Sequence, residues 1–356
     1  MFKKRIFLLT FLIFSVFILS GCVGPIKINF GGGKNSQGGI YVTTDKGNKW
    51  KGMNSIPSVS DKPGSIADYN TRALKMDPND HDAVYLGTVG NGLFYSYNVA
   101  EGWNKAKQLP TKTVNAIAVD PTSKCIIYTS LQNRVYKSTD CNRTWEPIYH
   151  DNKAETRIET IAVDHYDTSR IYVGTSRGEI IRSDDRGDSW RTIKRFDSQV
   201  KEIEISPFDS RRIFAATLDE GIFRSDDQGG DWDGLKENME EFNDRADYRD
   251  MSVSADQTGS IFLATDRGLL KSDDDGESWE RIDIITPEEE TVINAIAVNP
   301  NNEEEIYYVT DSTFYRSLDG GENWHTRELP TSRGGSKLLI DFENPNIIYM
   351  GVDERS

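Results

Sequence analysis

The sequence predicts an all-β fold, a seven-bladed β-propeller of four-stranded antiparallel blades, and three observations lead to this prediction. All seven tryptophans close copies of one short motif, Ser/Thr-x-Asp-x-Gly-x-x-Trp. Successive tryptophans are 42 to 53 residues apart, a period typical of propellers and solenoids. Short alternating segments, bounded by Gly, Asn and Asp turns, lie between the copies and predict β-strands.

The motif has a local chemical explanation. Its Ser and Asp side chains can hydrogen-bond backbone groups of their own turn, and its Gly allows a positive φ. Its Trp buries a large apolar surface. We therefore interpret the motif as structural rather than catalytic; the copy at 96–103 is degenerate, with Asn98 and Ala100 in the Asp and Gly places. The structural positions are Asp45, Trp50, Trp103, Asp140, Trp145, Asp185, Trp190, Asp227, Trp232, Asp274, Trp279, Asp319 and Trp324.

Each blade follows one order of strands. Residues 159–164 predict strand A, 170–174 strand B, 179–182 strand C, and 190–193 the start of strand D. The pattern of strand A recurs at three other places, 114–119, 200–205 and 293–298.

The two ends of the chain each supply half a blade. Residues 40–43 predict a strand C that is followed by the motif and a strand D, whereas 337–340 and 347–350 predict only strands A and B. Together the halves make one blade, so we expect a ring over 39–356 that has no free sheet edge.

The first residues resemble an export signal. Basic residues at 3–5 precede an apolar run at 6–19, as in a secretory signal rather than a membrane span. Residues 19–22, Leu-Ser-Gly-Cys, resemble the bacterial lipobox. That resemblance implies removal of 1–21, acylation of Cys22 and membrane attachment through this lipid anchor only. The alternatives are an ordinary signal peptide with an incidental Cys and an uncleaved anchor. Residues 22–38 are Gly-rich and predict a flexible tether.

The repeated motif resembles the Asp-box, or bacterial neuraminidase repeat. It occurs in sialidases, sortilin-type receptors, some xyloglucan-degrading enzymes and photosystem II assembly factors. The resemblance covers nearly all of the chain after residue 39 and implies the fold, whereas these families do unrelated things on one scaffold. The chain looks most like the sortilin and photosystem II assembly-factor branch, in which the propeller is a docking platform. The basic patch associated with that assembly factor is not evident in so acidic a chain.

The net charge limits the classes of partner, and the cysteine content suggests a disulfide. The net charge is −15, and loss of the signal's three basic residues leaves −18, which argues against nucleic acid and against anionic lipid surfaces. Besides Cys22 there are Cys125 and Cys141. A hairpin between strands B and C would bring them together, and a disulfide can persist in an exported compartment. Two free thiols are the alternative, and mass spectrometry with and without reductant distinguishes them.

No constellation of residues indicates catalysis, a metal or a cofactor. The Arg motif of sialidases is absent, and the xyloglucan-degrading relatives place their acids between two propellers. With 57 Asp and Glu residues, a pair at glycosidase spacing arises by chance. The acidic run at 273–275 lacks the ligand spacing of a calcium loop and is explained as part of the motif.

Two long connections between strands D and A, at about 51–71 and 233–250, are the candidate binding loops. Apolar residues at 235, 239 and 242 predict one or two helical turns in the second loop. Both loops end alike, and we expect their Asp, Tyr and Arg side chains to line the channel mouth and contact a ligand. The alternative is that they only satisfy loop backbone and cap strand A. The candidate residues are Asp68, Tyr69, Arg72, Asp247, Tyr248 and Arg249.

These observations favour a lipid-anchored propeller of the bacterial cell envelope that binds another protein and is not an enzyme. We expect the propeller to be monomeric. A glycan-active enzyme, such as a glycoside hydrolase, and a carbohydrate-binding module are the alternatives on the same scaffold.

Overall fold

The computed structural model describes residues 36–58, 63–242, 248–254, 259–286 and 292–354. Within them, seven four-stranded antiparallel sheets follow one another along the chain, each in the order A, B, C, D. The predicted seven-bladed propeller is therefore confirmed. The predicted signal at 1–21, Cys22 and the tether up to residue 35 lie outside the described residues.

The blades are numbered from the one that contains both ends of the chain, and the strands are given in the order A to D. Blade 1 consists of Gly334–Ile340, Ile348–Asp353, Ile40–Thr43 and Lys51–Gly52; blade 2 of Thr71–Asp77, Asp80–Thr88, Gly92–Ser96 and Asn104–Lys105; blade 3 of Val114–Asp120, Ser123–Leu131, Arg134–Ser138 and Glu146–His150. Blade 4 consists of Ile158–Val163, Ile171–Thr175, Glu179–Ser183 and Arg191–Arg195; blade 5 of Val200–Ile205, Ile213–Thr217, Ile222–Ser225 and Asp233–Gly234. Blade 6 consists of Tyr248–Val253, Ile261–Thr265, Gly268–Ser272 and Glu280–Ile282; blade 7 of Ala295–Asn299, Asn302–Val309, Thr313–Ser317 and His325–Glu328. A small hairpin, Ser55–Ile56 with Gly64–Ser65, lies in the first long loop.

The two halves of blade 1 close the ring as predicted. Strand C of blade 1 pairs antiparallel with the last strand of the chain, with Tyr41 opposite Met350 and Val42 opposite Tyr349. Strand D then adds on the outer side of strand C. The ring consequently has no unpaired edge between its first and last strands.

The repeated motif forms the same turn in each blade. In blade 4, Ser183 Oγ donates to Asp185 Oδ1 at 2.8 Å and accepts from the amide of Gly187 at 2.8 Å. Asp185 Oδ1 also accepts from the amide of Ser189 at 2.8 Å. The degenerate copy keeps this pattern, since Asn98 Oδ1 accepts from Ser96 Oγ at 2.7 Å and from an amide four residues on. We call the side of the propeller that carries these turns the turn face.

Two structural constraints require glycine at the Gly position of the turn. Gly187 has φ +98°, a conformation that a side chain disfavours. A Cβ at this position would also lie 2.6 Å from Ile148 Cδ1 of the preceding blade. The turn therefore packs its backbone directly against the neighbouring blade.

Basic residues of strand C tie several of the turns to the blade before them. Arg182 donates to the carbonyl of Gln228 at 2.7 Å, and Arg224 to that of Asp275 at 3.0 Å. Arg316 donates to the carbonyl of Lys46 at 2.9 Å, which joins blade 7 to blade 1. These links were not apparent from the sequence.

The apolar core lies between blades rather than in one centre. The cluster between blades 5 and 6, for example, joins Phe214 and Ile222 to Leu263 and Leu270. Met239, fully buried, completes this cluster from the short 3-10 helix Lys236–Phe242, which fulfils the prediction of helical turns in the second loop. Burial at successive interfaces explains how one ring can exceed the size of a single-core domain.

Within the described part of the chain, no helix has the length and apolar content that a membrane crossing requires.

Candidate functional site: the mouth of the central channel

A β-bulge near the start of strand A occurs in six blades, and in five of them it has the same form. In each of these five, one residue of strand A is skipped in the pairing with strand B. A bulge bends the strand and re-aims the extra side chain, and bulges are common next to functional sites. The extra residues are Arg72, Glu159, Lys201, Arg249 and Ser336.

All five extra residues line one cavity of about 290 Å³ at the channel mouth. Asn115 of blade 3 and Asn294 of blade 7 complete the ring, so every blade contributes one polar residue. We call these seven residues the mouth ring: Arg72, Asn115, Glu159, Lys201, Arg249, Asn294 and Ser336. Strand A begins at this face, and the tips between strands B and C share it, because Arg249 pairs with Asp266.

Most charged side chains at the mouth are paired. Glu159 accepts from Arg72 at 3.0 Å and from Arg157 at 2.9 Å. Lys337, one layer deeper, donates to Asp250 at 3.3 Å. Paired charges of this kind hold their side chains in fixed positions, which a binding surface requires.

Carboxyl groups lie deeper in the channel. Glu202 and Glu204 project from strand A of blade 5, and Tyr248 Oη donates to Glu202. Burial, together with the nearby carboxylates of Asp250 and Glu204, raises the pKa of Glu202 well above its usual range. Burial likewise raises the pKa of Glu204. The mouth of the channel thus carries mainly basic side chains, and below it three carboxyl groups lie together with Lys75 and Lys337.

The structure brings together only part of the predicted site. Arg72, Tyr248 and Arg249 line the mouth cavity. Here the structure differs from the expectation for two others: Tyr69 packs on Phe94, with ring centroids 5.6 Å apart, and belongs to an apolar cluster, while Asp68 is exposed beside it and does not line the cavity. Asp247 lies outside the described residues.

Sequence reasoning missed Lys201, Glu202 and Lys337. The expectation that so acidic a chain has no evident basic patch also misses the convergence of basic side chains on the mouth. A signal was available, because polar residues interrupt the apolar alternation of strand A at 201, 202 and 204. The bulges decide which of those side chains meet across the channel, and the sequence does not show where the bulges occur.

Cys125 and Cys141 are joined as a disulfide in blade 3, with Cα atoms 4.0 Å apart. The amide of Cys141 also donates to the carbonyl of Cys125 at 3.2 Å. The bond connects the start of strand B to the repeated turn. Its formation in the purified protein stays a prediction, which mass spectrometry with and without reductant tests.

The acidic run at 273–275 has protein partners. Asp273 pairs with Lys271 at 3.0 Å, Asp274 accepts from Ser278 as the Asp of the turn, and Asp275 accepts from Arg212. Across the described ranges, no group of three or more His, Cys, Asp or Glu side chains could hold a metal ion.

The fold defines the protein as a seven-bladed β-propeller, and comparisons with known proteins agree. No protein-family model matches the chain. Its sequence is 25% identical over 191 residues to Xyloglucanase Xgh74A of Acetivibrio thermocellus. The match covers 44% of this chain and 22% of that protein, so the chain matches about a fifth of the length of this curated relative.

The solved structures that share this fold include a GH74 xyloglucanase and the protein YCF48. The GH74 xyloglucanase from Xanthomonas campestris matches 80% of this chain and 51% of its own, with a TM-score of 0.66 and 17% identity. YCF48 bound to D1 peptide matches 84% of this chain and 95% of its own, with a TM-score of 0.62 and 14% identity. YCF48 from Cyanidioschyzon merolae matches 83% of this chain and 97% of its own, with a TM-score of 0.60 and 13% identity. At these identities the likeness establishes the fold.

Proposed function

We propose that this chain is an exported, lipid-anchored propeller that binds another protein at its channel mouth and performs no catalysis. The observation that carries the proposal is the mouth ring. Five bulges direct polar side chains of different chemistry to one face, although the blades are otherwise repeats. Variation at one structural position of a repeat protein is typical of a binding surface.

The chemistry of the mouth also favours a protein partner. The surface combines arginine, lysine, amide and carboxylate groups, and ion pairs fix several of the charged ones, which suits a partner with complementary charge. YCF48, whose structure with a D1 peptide shares this fold over most of both chains, is consistent with a peptide-binding role for such a propeller.

A glycan-active enzyme is the second candidate, and two observations favour it. One is the 25% identity with a xyloglucanase over part of the chain. The other is Glu202, whose raised pKa would keep its carboxyl protonated near neutral pH, as a general acid requires. The channel holds further carboxyl groups, Glu204 and Asp250, in the same wall.

One experiment separates the candidates. The purified propeller is screened against a glycan panel that includes xyloglucan, with binding and hydrolysis read separately. In parallel, the full lipidated chain is cross-linked in its native envelope and the captured proteins are identified. Our proposal predicts a captured protein and no hydrolysis. Hydrolysis that is lost in Glu202→Gln would overturn it in favour of the enzyme, and binding without hydrolysis would favour the carbohydrate-binding module.

A further inference from the structure

Lys201 differs from the other basic side chains that line the mouth cavity. Arg72, Arg249 and Lys337 each have a carboxylate partner. Among the described residues, no acceptor lies within hydrogen-bonding distance of the Lys201 ammonium, although the side chain is half-buried and faces the cavity. A partly desolvated cation without a partner is unfavourable, so this position favours an anion from outside.

The surroundings of Lys201 strengthen that preference. Burial lowers its pKa, and the nearby cations Arg72, Arg157 and Lys337 lower it further, against the opposing effect of Glu159. Glu159 makes no hydrogen bond to Lys201, and its charge is already shared by Arg72 and Arg157, one on each oxygen. Positive charge thus exceeds negative charge at this side of the mouth.

A second donor lines the same cavity as the lysine. Asn115, next but one in the ring, accepts from Arg72 Nε through its Oδ1 at 3.3 Å, so its amide nitrogen is not engaged by that contact. A carboxylate has two oxygens and can accept from a lysine and from a second donor at once. One such group would neutralise the excess charge and supply the missing acceptor.

We propose that Lys201 is the anchor of a carboxylate-binding site and that the partner protein presents a single carboxylate to it. The inference rests on the proposed function, since it names the group by which a protein partner is recognised at the mouth. A peptide C terminus and an Asp or Glu side chain offer the same chemistry. Binding replaces water around a lone cation by a charge-assisted hydrogen bond and raises the pKa of Lys201.

The site is tested first with small probes. Ligand-observed NMR measures the binding of N-acetylglycine, which mimics a C terminus, and of N-acetylaspartic acid α-amide, which keeps only the side-chain carboxylate and mimics an Asp side chain. N-acetylglycinamide is the neutral match. We expect at least one carboxylate to bind, with the neutral amide weaker by at least about tenfold, as loss of a hydrogen bond to a charged group implies. Equal binding of acid and amide, or no saturable binding of either acid, would overturn the site.

The variant Lys201→Met assigns the binding to this residue. It should weaken carboxylate binding by at least about tenfold without lowering the midpoint of thermal unfolding, because it removes an unpaired cation. Lys51→Met is the matched control, since Lys51 is exposed on the outer strand of blade 1 and should bind as the wild type does. If Lys201→Met binds as tightly as this control, the assignment is wrong.

Capture in the envelope separates the two proposals. Loss of the captured protein in Lys201→Met, but not in Lys51→Met, supports both. Unchanged capture by Lys201→Met overturns the carboxylate site and leaves the proposed function in place. Capture of no protein by the wild type contradicts the proposed function, and with it the claim that a protein supplies the carboxylate.

Discussion

The turn face and the mouth of the channel are built by the same blades but in opposite ways. At the turn face, Ser183, Asp185 and Gly187 of blade 4 make contacts that recur in the other blades. At the mouth, equivalent bulges present Arg72 in blade 2 and Lys201 in blade 5. Repetition indicates what the ring needs to fold, whereas variation on a repeated backbone indicates what it needs to bind. Substitutions at the two faces should therefore affect different properties.

The largest expected effect is on stability, at the turn face. Trp103 is fully buried, and its indole N–H donates to the carbonyl of Met53 at 2.7 Å. Trp103→Ala should lower the free energy of unfolding by about 3–5 kcal/mol, as measured by denaturant titration. Trp324→Ala, at the corresponding but more exposed position, is the control and should cost less. Equal losses would contradict the importance of burial in the degenerate copy.

A smaller loss is expected from the hydroxyl of the turn. Ser183 is buried and satisfies the amide of Gly187, so Ser183→Ala leaves a buried donor without its acceptor. We expect a loss of about 1–3 kcal/mol in unfolding free energy. Ser189→Ala removes an exposed hydroxyl that donates to Asp185 Oδ2 in the same turn, and it should cost less because water can take the place of this donor. The structural interpretation of the turn fails if the two variants are equally stable.

Below the mouth, Glu202 makes stability depend on pH. Its pKa is raised in the folded protein, so the folded state binds more protons than the unfolded state above the ordinary glutamate pKa. Stability is then fully present below that ordinary pKa and is lost as pH rises through the raised value. Glu202→Gln should remove this loss and raise the unfolding midpoint at pH 8 by about 2–4 °C, the change that about 1 kcal/mol produces. If the unfolding midpoints of the wild type and the variant change with pH in parallel, Glu202 is not the source of the pH dependence.

The smallest effect is expected at His81, where blade 2 meets blade 1 on the turn face. His81 Nδ1 lies 2.9 Å from Asp341 Oδ2, and this hydrogen bond raises the histidine pKa. Its stabilisation is present below the ordinary histidine pKa and is lost as pH rises through the raised value. Because the imidazole of His81 is partly exposed, we expect this pH-dependent stabilisation to be less than about 1 kcal/mol. His81→Gln should eliminate it. Thermal unfolding of both proteins at pH 6 and pH 8 measures this difference.

The fold was predictable because its signals are local and repeated. The motif around Asp185 and Trp190 recurs often enough to count the blades. The half blades at 40–43 and 347–350 predict that the ring closes by pairing of these strands. The site was predictable only in part. The endings of the two long loops are alike in sequence, yet Tyr69 packs on Phe94 whereas Tyr248 bonds to Glu202. Tertiary surroundings decide that difference, and they also bring Lys201 and Lys337 to one cavity.

The most direct test of the account compares the two faces in one assay. A photo-cross-linking residue is placed at Asn115 in the mouth ring or at Ser189 in the turn of blade 4, and the full chain is irradiated in its native envelope. The account predicts that Asn115 captures a specific protein and that Ser189 does not. Capture from Ser189 alone would contradict the assignment of binding to the mouth.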